Sequence, residues 1–197
     1  MTKNIVLIGV GGQGTVLATK ILAEGLAGIG YDVKMSEIHG MSQRGGSVST
    51  HIRYGEKVYS PCVEEGKADI VLAFEKVEAL RGAGYLKRGG TLITDSREVY
   101  PLPVLTGAAK YPEGILEELK AKVKNVIVVN AYERAAALGN PKAQNMLLLG
   151  CLVLLLGLEK ADWNGIVERN VPQKAAGTNK KAFEEGLAFA RAFKEDS

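Results

Sequence analysis

The chain is poor in cysteine: Cys62 and Cys151 are the only two among 197 residues. Two thiols cannot hold an iron–sulfur cluster or an all-cysteine zinc site within one chain. Such sparse use fits a reducing compartment. Aromatic residues are also scarce, at 6%. Neither charge sign dominates, since 25 Lys and Arg face 22 Asp and Glu. Both halves share that balance, so the basic block of a nucleic-acid binder is missing and no nucleic-acid partner is expected. Long hydrophobic runs are absent too. The longest, residues 146–158, has 13 residues, where a membrane span needs roughly 20. The apolar run 5–8 is too short for a secretory signal. A cytoplasmic chain with no membrane partner is the expectation.

What the chain does have is a 46% apolar fraction, 24% charged residues and 24 glycines. At this length a single domain over residues 1–197 can bury a core without disulfide or metal support. Three short runs, 5–8, 70–74 and 126–129, are apolar throughout rather than alternating. Strands of that kind are covered on both faces, as in parallel sheets flanked by helices. Helical patterns lie between them, after Gly14 and over 113–123. The fold class expected is an open, Rossmann-like, mostly parallel α/β sheet with helices on both faces. Residues 47–54 alternate, Gly55-Glu56 reads as a turn, and 57–60 is again strand-like, so a β-hairpin inserted there is expected. The last third reads as helical. Asn140-Pro141 supplies an N-cap followed by proline, and the helix beyond it is apolar all round, to be buried in the core or in a subunit contact. Two more helices are expected at 163–170 and 173–193, parted by Pro172.

Gly9-Val10-Gly11-Gly12-Gln13-Gly14 lies between the first strand and the first helix. Glycines let backbone turn sharply and approach a ligand, and the helix start offers N–H groups to an anion. A purely structural turn is the plainer account of the same glycines. A dinucleotide site would want an acidic residue about 20 residues on. Glu37 is the candidate, although it stands 28 residues after Gly9. A second loop is more unusual: Ser36-Glu37-Ile38-His39-Gly40-Met41-Ser42-Gln43-Arg44-Gly45-Gly46 packs His, Gln and Arg among glycines, just past an expected second strand. In an open sheet that is the ligand-binding edge. Arg44 there suits a two-pronged grip on carboxylate or phosphate, and His39 can donate or accept near neutral pH.

The paired loops resemble the gamma-type domain of the 2-oxoacid:ferredoxin oxidoreductases. The His-Gly-Met-x-Gln-Arg form is most similar to the small-subunit branch that acts on indolepyruvate. Ser60-Pro61, Ala68-Asp69, Leu86-Lys-x-Gly-Gly90, Asn140-Pro141 and Val171-Pro-x-Lys174 extend the resemblance over nearly the whole chain. It implies an enzyme that decarboxylates a 2-oxo acid on thiamine diphosphate, passes electrons through iron–sulfur clusters to ferredoxin and releases acyl-CoA. This sequence has no thiamine-diphosphate motif and too few cysteines for a cluster. The resemblance therefore implies a larger partner subunit that carries thiamine diphosphate and clusters and contacts ferredoxin. The isolated chain would be inactive, and its self-association is left open. This chain would be a non-redox subunit that helps bind coenzyme A or substrate and completes the active site. The ligand-contacting candidates are Gly9, Gly11, Gly12, Gln13, Gly14, His39, Gly40, Gln43, Arg44, Gly45 and Gly46. No catalytic or metal-ligating residue is assigned.

Other residues were weighed against plainer accounts. Cys62 with His51 is conceivable as a nucleophile pair, yet no third group orients them, and a buried thiol is the simpler expectation. Cys151 falls in the apolar helix. Asp95, at the end of a strand, could hold a ribose or cap the next turn, and the cap is preferred. Lys174, Asn179, Lys180 and Lys181 fit a solvated helix as well as a partner contact. Two alternatives stay open: a free-standing NAD(P)-binding dehydrogenase using Glu37, and a nucleotide-binding regulatory protein.

Overall fold

A computed structural model describes residues 2–39 and 45–195, with His39 defined by its backbone alone. β1 (Lys3–Val10) leads through the first glycine loop into α1 (Thr15–Gly28), followed by β2 (Asp32–His39) and β3 (Ser47–Gly55). Then come β4 (Ala68–Ala73), α2 (Lys76–Gly82), β5 (Leu86–Asp95), α3 (Leu102–Leu105), α4 (Ile115–Lys122), β6 (Asn125–Val129) and α5 (Ala131–Ala137). The last third forms α6 (Gln144–Leu156), α7 (Trp163–Asn170) and α8 (Gln173–Glu195).

The strands form one sheet in the order β2-β3-β1-β4-β5-β6. β1, β4, β5 and β6 are parallel, and β3 runs antiparallel to both β1 and β2. All strands but β3 therefore point the same way, as expected of a mostly parallel α/β sheet. The expected hairpin is misplaced. Residues 47–54 are indeed a strand, but its partners are β2 upstream and β1, and 57–60 joins no ladder. The Val58 N–H goes instead to the Asp32 carboxylate at 2.9 Å. Alternation identifies a strand but not its partner, and here β1 and β2 claim both edges of β3.

Side chains of β1 alternate between two cores. Ile5 and Leu7 join Ile52 and Leu72 beneath α1, α6 and α8, where Leu22, Leu148 and Phe183 are fully or almost fully buried. Val6 and Ile8 join Val71 and Leu92 beneath α2 and α4, through Ala79, Ile115 and Leu119. Both faces being covered is why 5–8 is apolar without a break. The Asn140 side-chain oxygen Oδ1 accepts from the Lys142 N–H at 3.1 Å, and after one 3-10 turn α6 begins. Residues 146–154 are buried, so the core takes this helix. α6 and α8 touch backbone to backbone. A Cβ on Gly150 would meet the Phe183 carbonyl, and one on Gly186 the Leu147 carbonyl.

Candidate functional site

The carboxyl ends of β1, β2, β4, β5 and β6 share one edge of the sheet with the start of β3. The first glycine loop and the described end of the second, Gly45 and Gly46, therefore stand at that edge. They are also joined. The Gly11 N–H donates to the Gly46 carbonyl at 2.8 Å, and the Gly45 N–H to the Gly11 carbonyl at 3.5 Å. This backbone bridge prolongs the β1–β3 ladder past the pair Val10–Ser47.

Each glycine of the first loop has its own reason. A Cβ on Gly9 would sit 2.9 Å from both the Gln13 Oε1 and the Thr15 Cγ2. Gly12 and Gly14 have φ of +102° and +78°, a region that side chains with Cβ disfavour. Gly14 also lies against Asn145 of α6, whose amide donates to the Gly14 carbonyl at 3.3 Å. Gln13 braces the turn. Its Oε1 accepts from the Val10 N–H at 2.7 Å, and its Nε2 donates to the Phe74 carbonyl at 2.9 Å. The side-chain amide thus ties the ends of β1 and β4. Among the loop N–H groups, those of Gly11 and Gln13 are already spent on Gly46 and Val10.

No side chain caps α1. Its first intrahelical bond runs from the Ala18 N–H to the Gly14 carbonyl, so the N–H groups of Thr15, Val16 and Leu17 have no partner in the helix. They border a cleft of about 610 Å³ lined by Gly11, Gly12, Gly14, Lys20, Glu37 and Val48 among others. The cleft presents donors and a positive helix end, with Lys20 on one wall and Glu37 on the other. The sequence reading missed Lys20. Its signal was the spacing from Val16, four residues apart on one side of the same helix.

The candidates are thus only partly gathered. Gly9, Gly11, Gly12, Gln13, Gly14, Gly45 and Gly46 stand at one mouth. His39 ends β2 and pairs in register with Val48. Gly40, Gln43 and Arg44 lie outside the described residues. Glu37 is on β2, which β3 separates from β1. Two strand spacings, about 10 Å, intervene where a dinucleotide fold has one.

A second cleft, of about 470 Å³, opens across the bridge and touches Gly45, Gly46, Glu75, Glu78 and Tyr111. Glu75 is 1% exposed and Glu78 2%. Glu75 accepts from the Glu78 N–H at 3.0 Å, from the Val99 N–H at 3.3 Å and from the Tyr111 hydroxyl. Burial, then the bond to Glu75, pushes the Tyr111 phenol well above its ordinary range. Glu78 accepts from the Ser47 hydroxyl and the Arg81 guanidinium. Asp95, fully buried, accepts from the N–H groups of Ala131 and Tyr132 at 3.1 and 3.0 Å. It caps the start of α5, and it also accepts from the Arg97 N–H at 3.3 Å, the cap of the next turn preferred from sequence. Burial pushes its carboxyl up to about 6 against these donors.

The cysteine reading needs correction. Cys62 is exposed rather than a buried thiol. His51 is 3% exposed, and its Nδ1 accepts from the Val63 N–H at 3.1 Å, so its ring serves the backbone. Cys151 is buried and its thiol meets the Gly186 carbonyl at 3.3 Å. Among the described residues, no group of three or more His, Cys, Asp and Glu is placed to hold a metal, and no helix is long and apolar enough to cross a membrane.

With this geometry in place, comparison with known proteins is informative. The family model described as pyruvate ferredoxin/flavodoxin oxidoreductase matches residues 4–189. Indolepyruvate oxidoreductase subunit IorB of Pyrococcus horikoshii is 41% identical over 195 residues, covering 95% of this chain and 96% of that protein. The gamma subunit of a keto/oxoacid ferredoxin oxidoreductase from Geobacter sulfurreducens PCA has a TM-score of 0.71 at 26% identity, over 96% of this chain and 99% of that one. A 2-oxoglutarate:ferredoxin oxidoreductase from Magnetococcus marinus, solved with 2-oxoglutarate, coenzyme A and succinyl-CoA bound, has a TM-score of 0.74 at 20% identity. That match covers 97% of this chain but 31% of the other, and at this identity it speaks for the fold alone.

Proposed function

This chain belongs to the pyruvate ferredoxin/flavodoxin oxidoreductase family, and from that premise we propose that it is the small, non-redox subunit of a 2-oxoacid:ferredoxin oxidoreductase acting on indolepyruvate or a related aryl pyruvate. The complex would form acyl-CoA and CO2. Thiamine diphosphate and iron–sulfur clusters, held by a larger subunit, would supply decarboxylation and electron transfer to ferredoxin. The two cysteines of this chain, one exposed and one buried in α6, do not fit a cluster.

What this chain's own residues do is bind and orient. On this reading, the N–H groups of Gly12 and of residues 14–17 receive the phosphates of coenzyme A, with the α1 dipole behind them. Lys20 lies where it can add a positive charge. The glycine bridge sets the floor, and Arg44, which lies outside the described residues, would grip a carboxylate or phosphate. The observation that carries the proposal is the joining of the two glycine loops, Gly11 to Gly46, beside the uncapped start of α1. The interposed β3 weighs against a free-standing dinucleotide-binding dehydrogenase, because it removes Glu37 from the strand next to β1.

Reconstitution with the larger subunit tests this. Arg44→Ala should raise the KM for coenzyme A or oxo acid about tenfold, the worth of one or two charge-assisted hydrogen bonds. Unchanged kinetics would discard the clamp.

A further inference from the structure

The α1 cleft has two unlike ends. The uncapped helix start and Lys20 stand on one side, and Glu37 on the other. Glu37 pairs in register with Thr50 of β3, and Thr50 with Leu7 of β1. Two strand spacings therefore part Glu37 from β1, at least about 10 Å from the first glycine loop. The lining shared by the two ends includes the apolar Val16, Leu17 and Val48.

Among the described residues Glu37 has no hydrogen-bond or ion-pair partner. Residues directly opposite in a ladder share a face, so Thr50 lies beside Glu37 on the cleft's side of the sheet. It is wholly buried, yet its hydroxyl has no hydrogen-bond partner. Buried hydroxyls are normally satisfied. An orphan hydroxyl next to a free carboxylate marks a polar spot left for a ligand to complete.

Charge sorts the possible guests. An anion is drawn to the helix start and Lys20 and kept away from Glu37. A small oxo acid is too short to span both ends. The ligand that fits has a phosphate at one end, then an apolar stretch, then an N–H or O–H donor. Coenzyme A offers such donors on either side of its pyrophosphate, on the ribose and on the pantetheine arm. The ribose also bears a phosphate, which Glu37 would repel. The arm is uncharged, and its two methyl groups suit an apolar wall.

We propose that Glu37 accepts a hydrogen bond from the pantetheine arm of coenzyme A, with Val16, Leu17 and Val48 against the arm's methyl groups. The proposal rests on the function proposed above and adds a direction to it, the arm running from the helix start towards β2.

Calorimetric titration of the complex of this chain with the larger subunit tests this, with coenzyme A, 4′-phosphopantetheine and 3′,5′-ADP as probes. Glu37→Ala should raise the Kd of coenzyme A and of 4′-phosphopantetheine about tenfold, the worth of one hydrogen bond to a charged group. It should leave 3′,5′-ADP unchanged, which also shows the cleft intact. Glu37→Gln keeps an acceptor oxygen and should stay within about threefold of wild type. Unchanged 4′-phosphopantetheine binding in Glu37→Ala, an equal loss for 3′,5′-ADP, or a Gln variant as weak as the Ala variant overturns the inference. Lys20→Ala should weaken all three probes. If it does so while Glu37→Ala changes nothing, this inference alone fails. If neither variant alters coenzyme A binding, the phosphate site of the proposed function fails with it.

Discussion

Asp95 is a carboxylate with no exposure to water, held by the backbone at the start of α5. Burial raises its pKa from 3.8 to about 6, outweighing the N–H donors that favour the charge. Between about pH 4 and 6 the folded chain therefore keeps a proton that the unfolded chain has lost. Stability from this group is present below pH 4 and declines as pH rises through 6. Two units correspond to on the order of 3 kcal/mol. Urea unfolding of wild type and Asp95→Asn checks this, because carboxylates titrating elsewhere cancel in the difference. The stability of wild type relative to the variant should fall across that window; a difference that is flat or rising contradicts it. Gln13 shows what a single residue hid. From sequence, a glutamine in a glycine loop reads as a ligand contact, yet both ends of its amide are used by Val10 and Phe74. Phe74 is 61 positions away, and nothing in the loop's own sequence announces that distant carbonyl.

The helix pair α6 and α8 owes its closeness to Gly150 and Gly186, where an added Cβ would strike the backbone of the opposite helix. Gly186→Ala should cost roughly 2–3 kcal/mol by overpacking, or about 5–10 °C in Tm for a chain of this size. Gly177→Ala, on α8 where an added Cβ meets nothing, should be neutral or stabilising by up to about 1 kcal/mol. Thermal unfolding of both variants reads the contrast, and equal losses would contradict it. Periodicity made much of this architecture legible. The unbroken apolar run 5–8 reported a strand covered on both faces, and Asn140-Pro141 marked the approach to α6. The hairpin was misread because the pairing of β3 with β1 and β2 is long-range, which a period of two does not encode. The approach of α6 to α8 was likewise invisible, since one glycine in a helix looks the same whether it faces water, as Gly177 does, or a carbonyl.

Taken together, the described residues bring to one sheet edge the first glycine loop, the Gly45-Gly46 end of the second and an uncapped helix start. The motifs that suggested ligand binding were readable as separate segments, but their joining through Gly11 and Gly46 was not, because it depends on β3 lying beside β1. The second cleft across the bridge was unforeseen as well, since Glu75, Ser47 and Tyr111 come from distant segments. The central claim is that this mouth holds the phosphates of coenzyme A in the assembled enzyme. A crystal structure of the complex of this chain and the larger subunit with coenzyme A tests it most directly. The account predicts phosphate oxygens about 3 Å from the N–H groups of Gly12 and residues 14–17, with Lys20 turned toward them. Coenzyme A held wholly by the larger subunit, with the α1 cleft filled by protein side chains, would contradict it.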